Sequence, residues 1–455
     1  MNAGWDLARG NVLLAGIPGS GTSTALSTIA LTMARTWAPA DLDLFVLDMG
    51  SRDLAPLENL PHTVSYVGPG PGARERQVRL FSHLRAELER RRATPGPHRR
   101  LVLLLDGLAS LRDEYQDYDG QMVLDSFDRT YAEGPELNLW VAATTTRVKA
   151  IPSAMDEVTT QKWLFRLADP YDYSAAGLRP KDAPAQVPGR TVGAESKLQT
   201  HVATPGCSLE DAVSLVRRAW PDAARKTSVV RALPDRVTVD ELEPGEAVGE
   251  PWRLPVGLRG TDLGTAFLEL YEGEHALVAG PARSGKSTAL LGLAASVRAL
   301  RTPDGKAPLV YGLCQRRSPL AQAALDKVAV GTDQVAALVA SVRLARGPVV
   351  LLVDDAEQFD DTDASLSGLL GAGLPNLHIV AAGRSDDLRS LYSHWTKTLR
   401  KARAGLLLQP NVDYDGELLG VTLPRKSMVP LTLGRGYLCQ SGGTTLVQAA
   451  GPAAG

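Results

Sequence analysis

The chain has 455 residues, which is enough for two or three domains with separate cores. With 44% hydrophobic residues, 22% charged residues and a formal net charge of -2, it has an ordinary globular composition and no global positive field that would recruit nucleic acid. Its three cysteines lie far apart, which argues against a disulfide framework or a zinc site, and no run of about 18 apolar residues could span a membrane. These features predict a protein of the reducing cytoplasm.

A glycine-rich loop follows the first predicted strand, at residues 11–15, and precedes a predicted helix at 24–35. The loop has the frame of a P-loop, G-x-x-x-x-G-K-[ST], with Thr22 in place of the lysine. In such a loop backbone N–H groups cradle the phosphates, the lysine reaches the β- and γ-phosphates, and the last hydroxyl holds Mg²⁺. The nucleotide-binding residues predicted for this first site are Gly16, Gly19, Ser20, Gly21, Thr22 and Ser23.

The strands predicted next, at 44–47, 101–105 and 139–143, are apolar at nearly every position and alternate with helical stretches. This pattern is typical of a parallel sheet that is covered on both faces. The second of these strands ends at Asp106, but Gly107 follows, so no carboxylate occupies the place from which an attacking water would be activated. Hydrolysis is therefore not expected in the first site. Nucleotide binding without hydrolysis and a purely structural site are both left open.

A second glycine-rich loop, residues 280–287, contains every P-loop residue, including the lysine. It follows a predicted strand at 275–279 and precedes a predicted helix at 288–300, the context that a functional P-loop requires. A glycine-rich turn without a ligand is the alternative interpretation. The predicted nucleotide-binding residues of this second site are Gly280, Ser284, Gly285, Lys286, Ser287 and Thr288.

The strand at 349–353 ends in two acidic residues, Asp354 and Asp355. Asp354 is predicted to hold Mg²⁺ together with Ser287, since an acid at this strand end binds the ion or one of its ligands in P-loop proteins. Asp355 is the candidate catalytic residue. It stands where a longer glutamate often polarises the attacking water, and the missing methylene could leave it out of reach.

For other polar residues near the predicted sites, the sequence gives less evidence of a function. Glu357 and Asp360 are interpreted as surface residues. Residues 144–147 and 383–385 end matching strands of the two halves, and an arginine in each set could either sense a γ-phosphate or lie on the surface.

Both halves repeat the same landmarks in the same order, which indicates an internal duplication. The predicted fold class is α/β, with two tandem RecA-like P-loop NTPase units, each a mostly parallel sheet flanked by helices. The predicted boundaries are 1–235 for the first unit, 236–255 for a proline-rich connector and 256–455 for the second unit.

This layout resembles the FtsK/SpoIIIE family and, within it, the C-terminal tandem ATPase units of EccC/EssC from type VII secretion. The resemblance rests on short motifs in a shared order, at 45–50, 60–62 with 67–68, 84–92 before Asp106, 189–190 and 434–436. It covers nearly the whole chain.

The resemblance implies ATP and Mg²⁺ as cofactors and a regulatory, substrate-recognising role in a secretion motor. It also implies a small helical-hairpin substrate, other motor subunits or domains as partners, assembly into an oligomer, and a cytoplasmic location at the inner face of the membrane through domains or partners outside this chain. Weak or no hydrolysis is expected, because 169–173 and 409–413, where active members carry arginines, have none. A DNA translocase and a nucleotide-stabilised scaffold are the alternative functions; DNA binding is a family-level association only.

The segment 418–433 is rich in apolar residues and has few charges. One interpretation is a groove for an amphipathic helix, with Leu419 and Met428 as partner-binding residues. The alternative is an edge strand with a loop that packs on the core.

Overall fold

The computed structural model describes residues 4–224, 226, 228, 230–245, 249–302, 305–424 and 429–453, without the side chains of Tyr118 and Asp119. The chain divides into two compact units, Met1–Ala232 and Leu233–Gly455. In the part of the chain that is described, no helix is both long enough and apolar enough to cross a membrane.

The first unit contains one sheet whose central strands are continuous apolar runs, as expected for strands buried on both faces. Its strands are β1 (Val12–Ala15), β2 (Leu42–Asp48), β3 (Thr63–Val67), β4 (Arg100–Asp106), β5 (Leu139–Thr145), β6 (Gln161–Leu164), β7 (Arg190–Gly193) and β8 (Gln199–His201). Their order across the sheet is β3-β2-β4-β5-β1-β6-β7-β8. The pairs from β3 to β6 are parallel, and β7 and β8 extend the sheet antiparallel.

Helices lie between the strands of the first unit and after its last strand. They are α1 (Thr22–Thr36), α2 (Ala73–Ala93), α3 (Leu108–Glu114), α4 (Tyr118–Glu133), α5 (Ser153–Val158), α6 (Pro170–Ala175) and α7 (Leu209–Ala219). Helix α1 begins two residues before the predicted start, because Gly21 takes a left-handed conformation, with φ of 104°, and the chain turns into the helix directly after it.

The second unit repeats this arrangement and adds strands at its edge. Its strands are β9 (Val237–Thr238), β10 (Trp252–Arg259), β11 (Thr265–Leu270), β12 (Ala276–Gly280), β13 (Leu309–Cys314), β14 (Lys327–Val330), β15 (Val349–Val353), β16 (Leu377–Arg384), β17 (Gly405–Leu408), β18 (Arg435–Gln440) and β19 (Gly443–Gly451). Its helices are α8 (Lys286–Ala299), α9 (Val335–Leu344), α10 (Ser365–Gly371), α11 (Ser385–Ser390) and α12 (Thr396–Leu399).

The strand order of the second sheet is β11-β10-β19-β18-β17-β12-β16-β15-β13-β14, with β9 paired to β19. Read from β14, the first eight strands follow the same order as the first sheet does from β3, with the P-loop strand β12 in the place of β1. The last two of those eight, β18 and β19, are antiparallel, as β7 and β8 are in the first unit. The predicted fold class, a duplicated α/β unit with a mostly parallel sheet, is confirmed.

The segment predicted as a connector, 236–255, lies in the second unit. It contains β9, which pairs with β19, and the first half of β10. Arg435 anchors the residues just before it: its Nη2 donates hydrogen bonds to the carbonyl of Leu233 at 2.7 Å and to Asp235 Oδ1 at 3.1 Å. The first residues of the unit are thereby held against its last two strands.

Two buried histidines lie near the amino ends of β12 and β16. His275 accepts the N–H of Ile379 at Nδ1 over 3.2 Å, and His378 packs edge-on against Trp252, with ring centroids 4.7 Å apart. Burial lowers the pKa of His275 to about 4, and the neighbouring His378 adds to this shift. Burial also lowers the pKa of His378.

These histidines should make the fold sensitive to acid. The unfolded chain protonates His275 near pH 6.5 and the folded chain only near pH 4, so the stabilisation is present above pH 6.5 and is lost as the pH falls through 4. It amounts to at most about 3 kcal/mol. We expect the Tm to decrease between pH 7 and pH 4.5, and His275→Asn to flatten this dependence. His201→Gln, at an exposed position, is the control, and equal pH slopes in wild type and His275→Asn would contradict the prediction.

Candidate nucleotide-binding sites

The second P-loop joins β12 to α8 through positions where only glycine fits. A Cβ on Gly280 would lie 2.3 Å from the carbonyl oxygen of Leu408 and 2.6 Å from Ser284 Oγ. Gly285 has a φ of 99°, and a Cβ there would lie 3.2 Å from Gly434. The loop is therefore held closely against the neighbouring backbone, and its N–H groups at the start of α8 form the anion-binding end of a helix.

Lys286 is the first residue of α8, and its side chain turns back into the loop. Its Nζ donates hydrogen bonds to the carbonyls of Gly280 at 3.1 Å and Pro281 at 2.6 Å. Burial lowers the pKa of the ammonium group, while the nearby carboxylates of Glu357, Asp354 and Asp355 act to raise it. A buried cation whose hydrogen bonds within the described part of the chain go to neutral carbonyls, with several acids nearby, is suited to phosphate oxygens.

Asp354 lies at the end of β15 with 1% of its surface exposed. Its Oδ2 accepts a hydrogen bond from Ser318 Oγ at 2.5 Å, and its Oδ1 is buried without a partner among the described residues. Ser287 is half-buried at the second position of α8, and Thr288 after it is exposed. The hydroxyl of Ser287 and the unpaired oxygen of Asp354 are ligands of the kind that Mg²⁺ prefers. A Mg²⁺ ion bound there would neutralise part of the phosphate charge.

Asp355 is half-buried and adopts a left-handed backbone conformation, with φ of 52°. Burial and the adjacent Asp354 raise the pKa of its carboxyl group. This conformation leads into a short 3₁₀ turn, Ala356–Gln358, which contacts the end of β16 through Glu357.

Glu357 lies in that turn, and the expectation that it is a surface residue is wrong. Its side chain is only 7% exposed. Its Oε2 accepts the backbone N–H of Arg384 at 3.3 Å, while Oε1 is buried without a partner in the described part of the chain. Asp360, in contrast, is exposed as expected. Sequence spacing alone did not indicate Glu357, because the reversal of the chain after Asp355 is what brings it inside.

The first site has the same loop geometry without the cation. Thr22 opens α1 at the position of Lys286, and Gly19 and Gly21 both have positive φ, of 76° and 104°. A Cβ on Gly16 would lie 2.4 Å from Ser20 Oγ, which repeats the close contact between Gly280 and Ser284. The two loops are therefore built alike, and the difference at Thr22 is chemical rather than conformational.

Asp106 ends β4 in the first unit and is hydrogen-bonded within it. It accepts from Thr144 Oγ1 at 2.5 Å and forms a further hydrogen bond with Ser23. Burial raises the pKa of its carboxyl group, and these two hydrogen bonds oppose the shift. The positions that match Asp355 and Glu357 are Gly107 and Ala109, so the first site lacks both of those acids.

A cavity of about 380 Å³ opens over the first loop. Its described lining includes eight hydroxyl-bearing residues from the loop, the strand ends and α3, together with the carboxylates of Asp53 and Asp106. No lysine or arginine is among the described residues that line it. This cavity offers backbone N–H groups and hydroxyls to a ligand but no positive side chain to balance a triphosphate.

The glycine-arginine motifs near the end of each unit support the P-loops. The N–H of Gly189 donates to the carbonyl of Ser20 at 2.8 Å, and the N–H of Gly434 donates to the carbonyl of Ser284 at 3.0 Å. The hydroxyls of Ser20 and Ser284 are both buried without a partner among the described residues. Each loop thus carries a polar group that is turned inward and uncommitted, as expected for a built ligand cradle.

Leu419, predicted to contact a partner, is fully buried. It ends the short 3₁₀ turn Asp415–Leu419 and packs with Leu418, Leu423 and Tyr437. The structure therefore favours the alternative in which this part of the segment packs on the core, although the turn is not the predicted edge strand. Met428, the other predicted contact, lies outside the described residues.

The fold and the two loops together define a tandem of P-loop NTPase units. The FtsK/SpoIIIE family model matches residues 2–201, which is most of the first unit. The ESX-1 secretion system protein EccCb1 of Mycobacterium tuberculosis is 26% identical over 365 residues, covering 72% of this chain and 60% of that protein. The ESX secretion system protein EccC of Thermomonospora curvata is 26% identical over 506 aligned positions, covering 97% of this chain and 37% of that protein.

Solved structures with the same fold come from related proteins. ATPases 2 and 3 of EssC from Geobacillus thermodenitrificans align with a TM-score of 0.77 at 18% identity, covering 98% of this chain and 92% of that one. ATPases 2 and 3 of Thermomonospora curvata EccC, in complex with a signal sequence peptide, align with a TM-score of 0.69 at 23% identity, covering 99% and 90%. The predicted resemblance to the FtsK/SpoIIIE family and to the type VII secretion ATPases is confirmed. The chain spans at most 60% of the length of the two curated relatives described above.

Restoring the missing lysine should restore triphosphate binding in the first site. In a Lys286→Ala background, where only the first site is observed, we expect Thr22→Lys to raise ATP affinity about tenfold or more, because a phosphate–ammonium contact is a charge-assisted hydrogen bond. Thr22→Met, which adds length without charge, is the control. Calorimetric titration with ATP and Mg²⁺ measures the effect. Equal affinities for the lysine and methionine variants would show that this loop cannot accommodate the phosphates.

Proposed function

We propose that this chain is a nucleotide-binding tandem ATPase module of a type VII secretion motor, with a regulatory and substrate-recognising role and slow hydrolysis at most. The observation that carries the proposal is the second site. There Lys286, a buried cation, and Asp354, a buried acid with an uncommitted oxygen, converge on an intact P-loop. Of the two loops, this is the one with all the parts needed to hold ATP–Mg²⁺.

The nucleotide-binding set of the second site is Gly280, Ser284, Gly285, Lys286, Ser287 and Thr288, with Ser287 and Asp354 holding Mg²⁺. The first unit acts mainly as a structural and regulatory partner in the chain. Its loop, from Gly16 to Ser23, keeps the cradle, but its cavity has two carboxylates and no described lysine or arginine. This favours a structural site over ATP binding there.

Substrate recognition is inferred from the relatives. The solved EccC ATPases 2 and 3 are described in complex with a signal sequence peptide, and their fold covers almost all of this chain. By analogy, we assign to this chain a small helical-hairpin secretion substrate and other motor subunits or domains as partners. Its place would be the cytoplasmic face of the membrane, reached through those partners.

One set of measurements on the full chain tests the proposal. Calorimetry with ATP and Mg²⁺ should give one tight site per chain, and a helical substrate-tail peptide should bind without nucleotide turnover. A DNA translocase would instead show ATP hydrolysis that is strongly stimulated by duplex DNA. A nucleotide-stabilised scaffold would hold ATP that does not exchange and would bind no substrate peptide. Absence of ATP binding would overturn all three functions.

A further inference from the structure

A cavity of about 630 Å³ opens in the first unit, at the end of the sheet opposite the P-loop. Its described lining includes Trp5, Trp37 and Trp140, three of the seven tryptophans in the chain. Trp140 lies at the start of β5, whereas the first P-loop follows the carboxyl end of β1, which runs parallel to β5. The cavity is therefore separate from the nucleotide site of this unit.

Two of the three indole N–H groups are used within the unit. Trp5 Nε1 donates a hydrogen bond to the carbonyl of Gly10 at 2.8 Å, and Trp140 Nε1 donates one to the carbonyl of Leu7 at 2.9 Å. These bonds orient the two rings, while Trp5 and Trp37 remain only half-buried at the surface of the core. Trp5 and Trp140 therefore offer ring faces to a ligand rather than hydrogen-bond donors.

Two carboxylates, those of Asp6 and Glu136, line the same cavity. Both residues are exposed, and neither forms an ion pair with a described residue. Asp6 Oδ1 accepts the N–H of Ala8 at 3.0 Å, whereas Glu136 has its whole carboxylate available to a ligand. Arg100 supplies the only positive side chain among the described lining residues. Acids beside aromatic faces attract cations and repel the phosphates of a nucleic acid.

Arg100 shows how a cation is held on this surface. Its guanidinium carbon lies 4.8 Å from the centroid of the Trp37 ring, which is within the range of a cation–π contact. Arg100 has no ion pair with an acid in the described part of the chain, so stacking rather than a salt bridge holds its guanidinium. Arginine is the side chain that combines stacking on a ring with hydrogen bonds to a carboxylate. The cavity offers both to a second guanidinium.

We propose that this tryptophan cavity binds an arginine side chain from a basic segment of a partner protein. The incoming guanidinium stacks on the Trp5 ring and donates hydrogen bonds to the carboxylate of Glu136. Arg100 opposes this binding, because it covers the Trp37 ring and repels a second cation. The inference does not depend on either nucleotide site, so its failure would leave the proposed function unchanged.

The test uses the full chain and a short blocked peptide of glycine and serine that carries two arginines. A matched peptide carries citrulline at both positions, which keeps the shape of arginine but removes its charge. Calorimetry should give an affinity about tenfold or more higher for the arginine peptide, because the uncharged side chain loses both the cation–π contact and the charge-assisted hydrogen bonds.

Substitutions in the cavity should act in opposite directions. Trp5→Leu, which keeps an apolar side chain but removes the ring, should weaken binding of the arginine peptide about fivefold or more, and Glu136→Gln about threefold or more. Arg100→Gln should instead strengthen it about threefold, because it uncovers a ring and removes a like charge. Asp222→Asn, at an exposed acid that does not line the cavity, is the control and should have no effect.

Equal affinities for the arginine and citrulline peptides would overturn the proposal, as would weaker binding in Arg100→Gln. Tighter binding of a proline-rich peptide than of the arginine peptide would also overturn it, since aromatic-lined grooves bind such segments without needing a cation. If thermal unfolding shows that Trp5→Leu disturbs the fold, the citrulline comparison and Arg100→Gln decide, because both leave the three indoles in place.

Discussion

Replacing Lys286 by alanine is expected to reduce ATP affinity about 100-fold or more, equivalent to about 3 kcal/mol. The ammonium group is buried within the loop and, among the described residues, donates hydrogen bonds to the carbonyls of Gly280 and Pro281. Those carbonyls cannot replace its charge when a triphosphate enters, because they repel the phosphate oxygens that the lysine attracts. Equilibrium calorimetry with ATP and Mg²⁺ measures the loss.

The repeated loop provides a matched control for this experiment. Thr22→Ala changes the corresponding position of the first P-loop and should leave the tight ATP site unaffected. Because Lys286 lies at the start of α8 and its ammonium group contacts carbonyls of the loop rather than the apolar core, the variant should fold normally, which thermal unfolding verifies. Unchanged ATP affinity in Lys286→Ala would remove the second P-loop from the proposed function.

Hydrolysis by the isolated chain is expected to be slower than about one turnover per second. Two parts of the catalytic apparatus are deficient in the second site: Asp355 is shorter than the usual glutamate, and residues 409–413 contain no arginine. In other P-loop enzymes the loss of a transition-state arginine reduces the rate by 10³ to 10⁵, or roughly 4–7 kcal/mol. The first site lacks both the lysine and the water-activating acid.

Phosphate release measured over a range of protein concentrations tests this prediction. A turnover that stays low at all concentrations supports it, because an arginine supplied by another copy would act only after association. Asp355→Glu, which restores the missing methylene, serves as the comparison and should raise the rate only slightly while the arginine is absent. Turnover well above one per second would instead favour the DNA-translocase function.

Much of the architecture could be predicted because the strongest signals are local. The P-loop at 280–287 dictates a strand before it and a helix after it, and the apolar run ending at Asp354 dictates a buried parallel strand. The repeat of both landmarks in the first half then implies a second copy of the same sheet. The structure contains these predicted strands and helices in the predicted order.

Three features could not be predicted because they depend on how the chain packs in three dimensions. Glu357 looked like a surface acid because nothing in its spacing shows that Asp355 takes a left-handed conformation and folds the next turn inward. The segment 236–255 looked like a linker because prolines interrupt it, but β10 accommodates Pro255 within a strand near the sheet edge. Leu419 looked available to a partner because apolar composition does not distinguish a groove from a core.

The hydrogen bonds from Arg435 to Leu233 and Asp235 connect the first residues of the second unit to one of its last strands. Its opening residues are fastened to β18 by a guanidinium that is 3% exposed, and β9 adds a parallel rung to β19. A cut placed between the prolines at 244 and 251 would therefore remove β9 and leave the buried guanidinium of Arg435 without its contacts to the carbonyls of Leu233 and Pro234 and to the carboxylate of Asp235. A version of this unit for transfer into another protein therefore has to start at or before residue 233, so that the partners of Arg435 and strand β9 are kept.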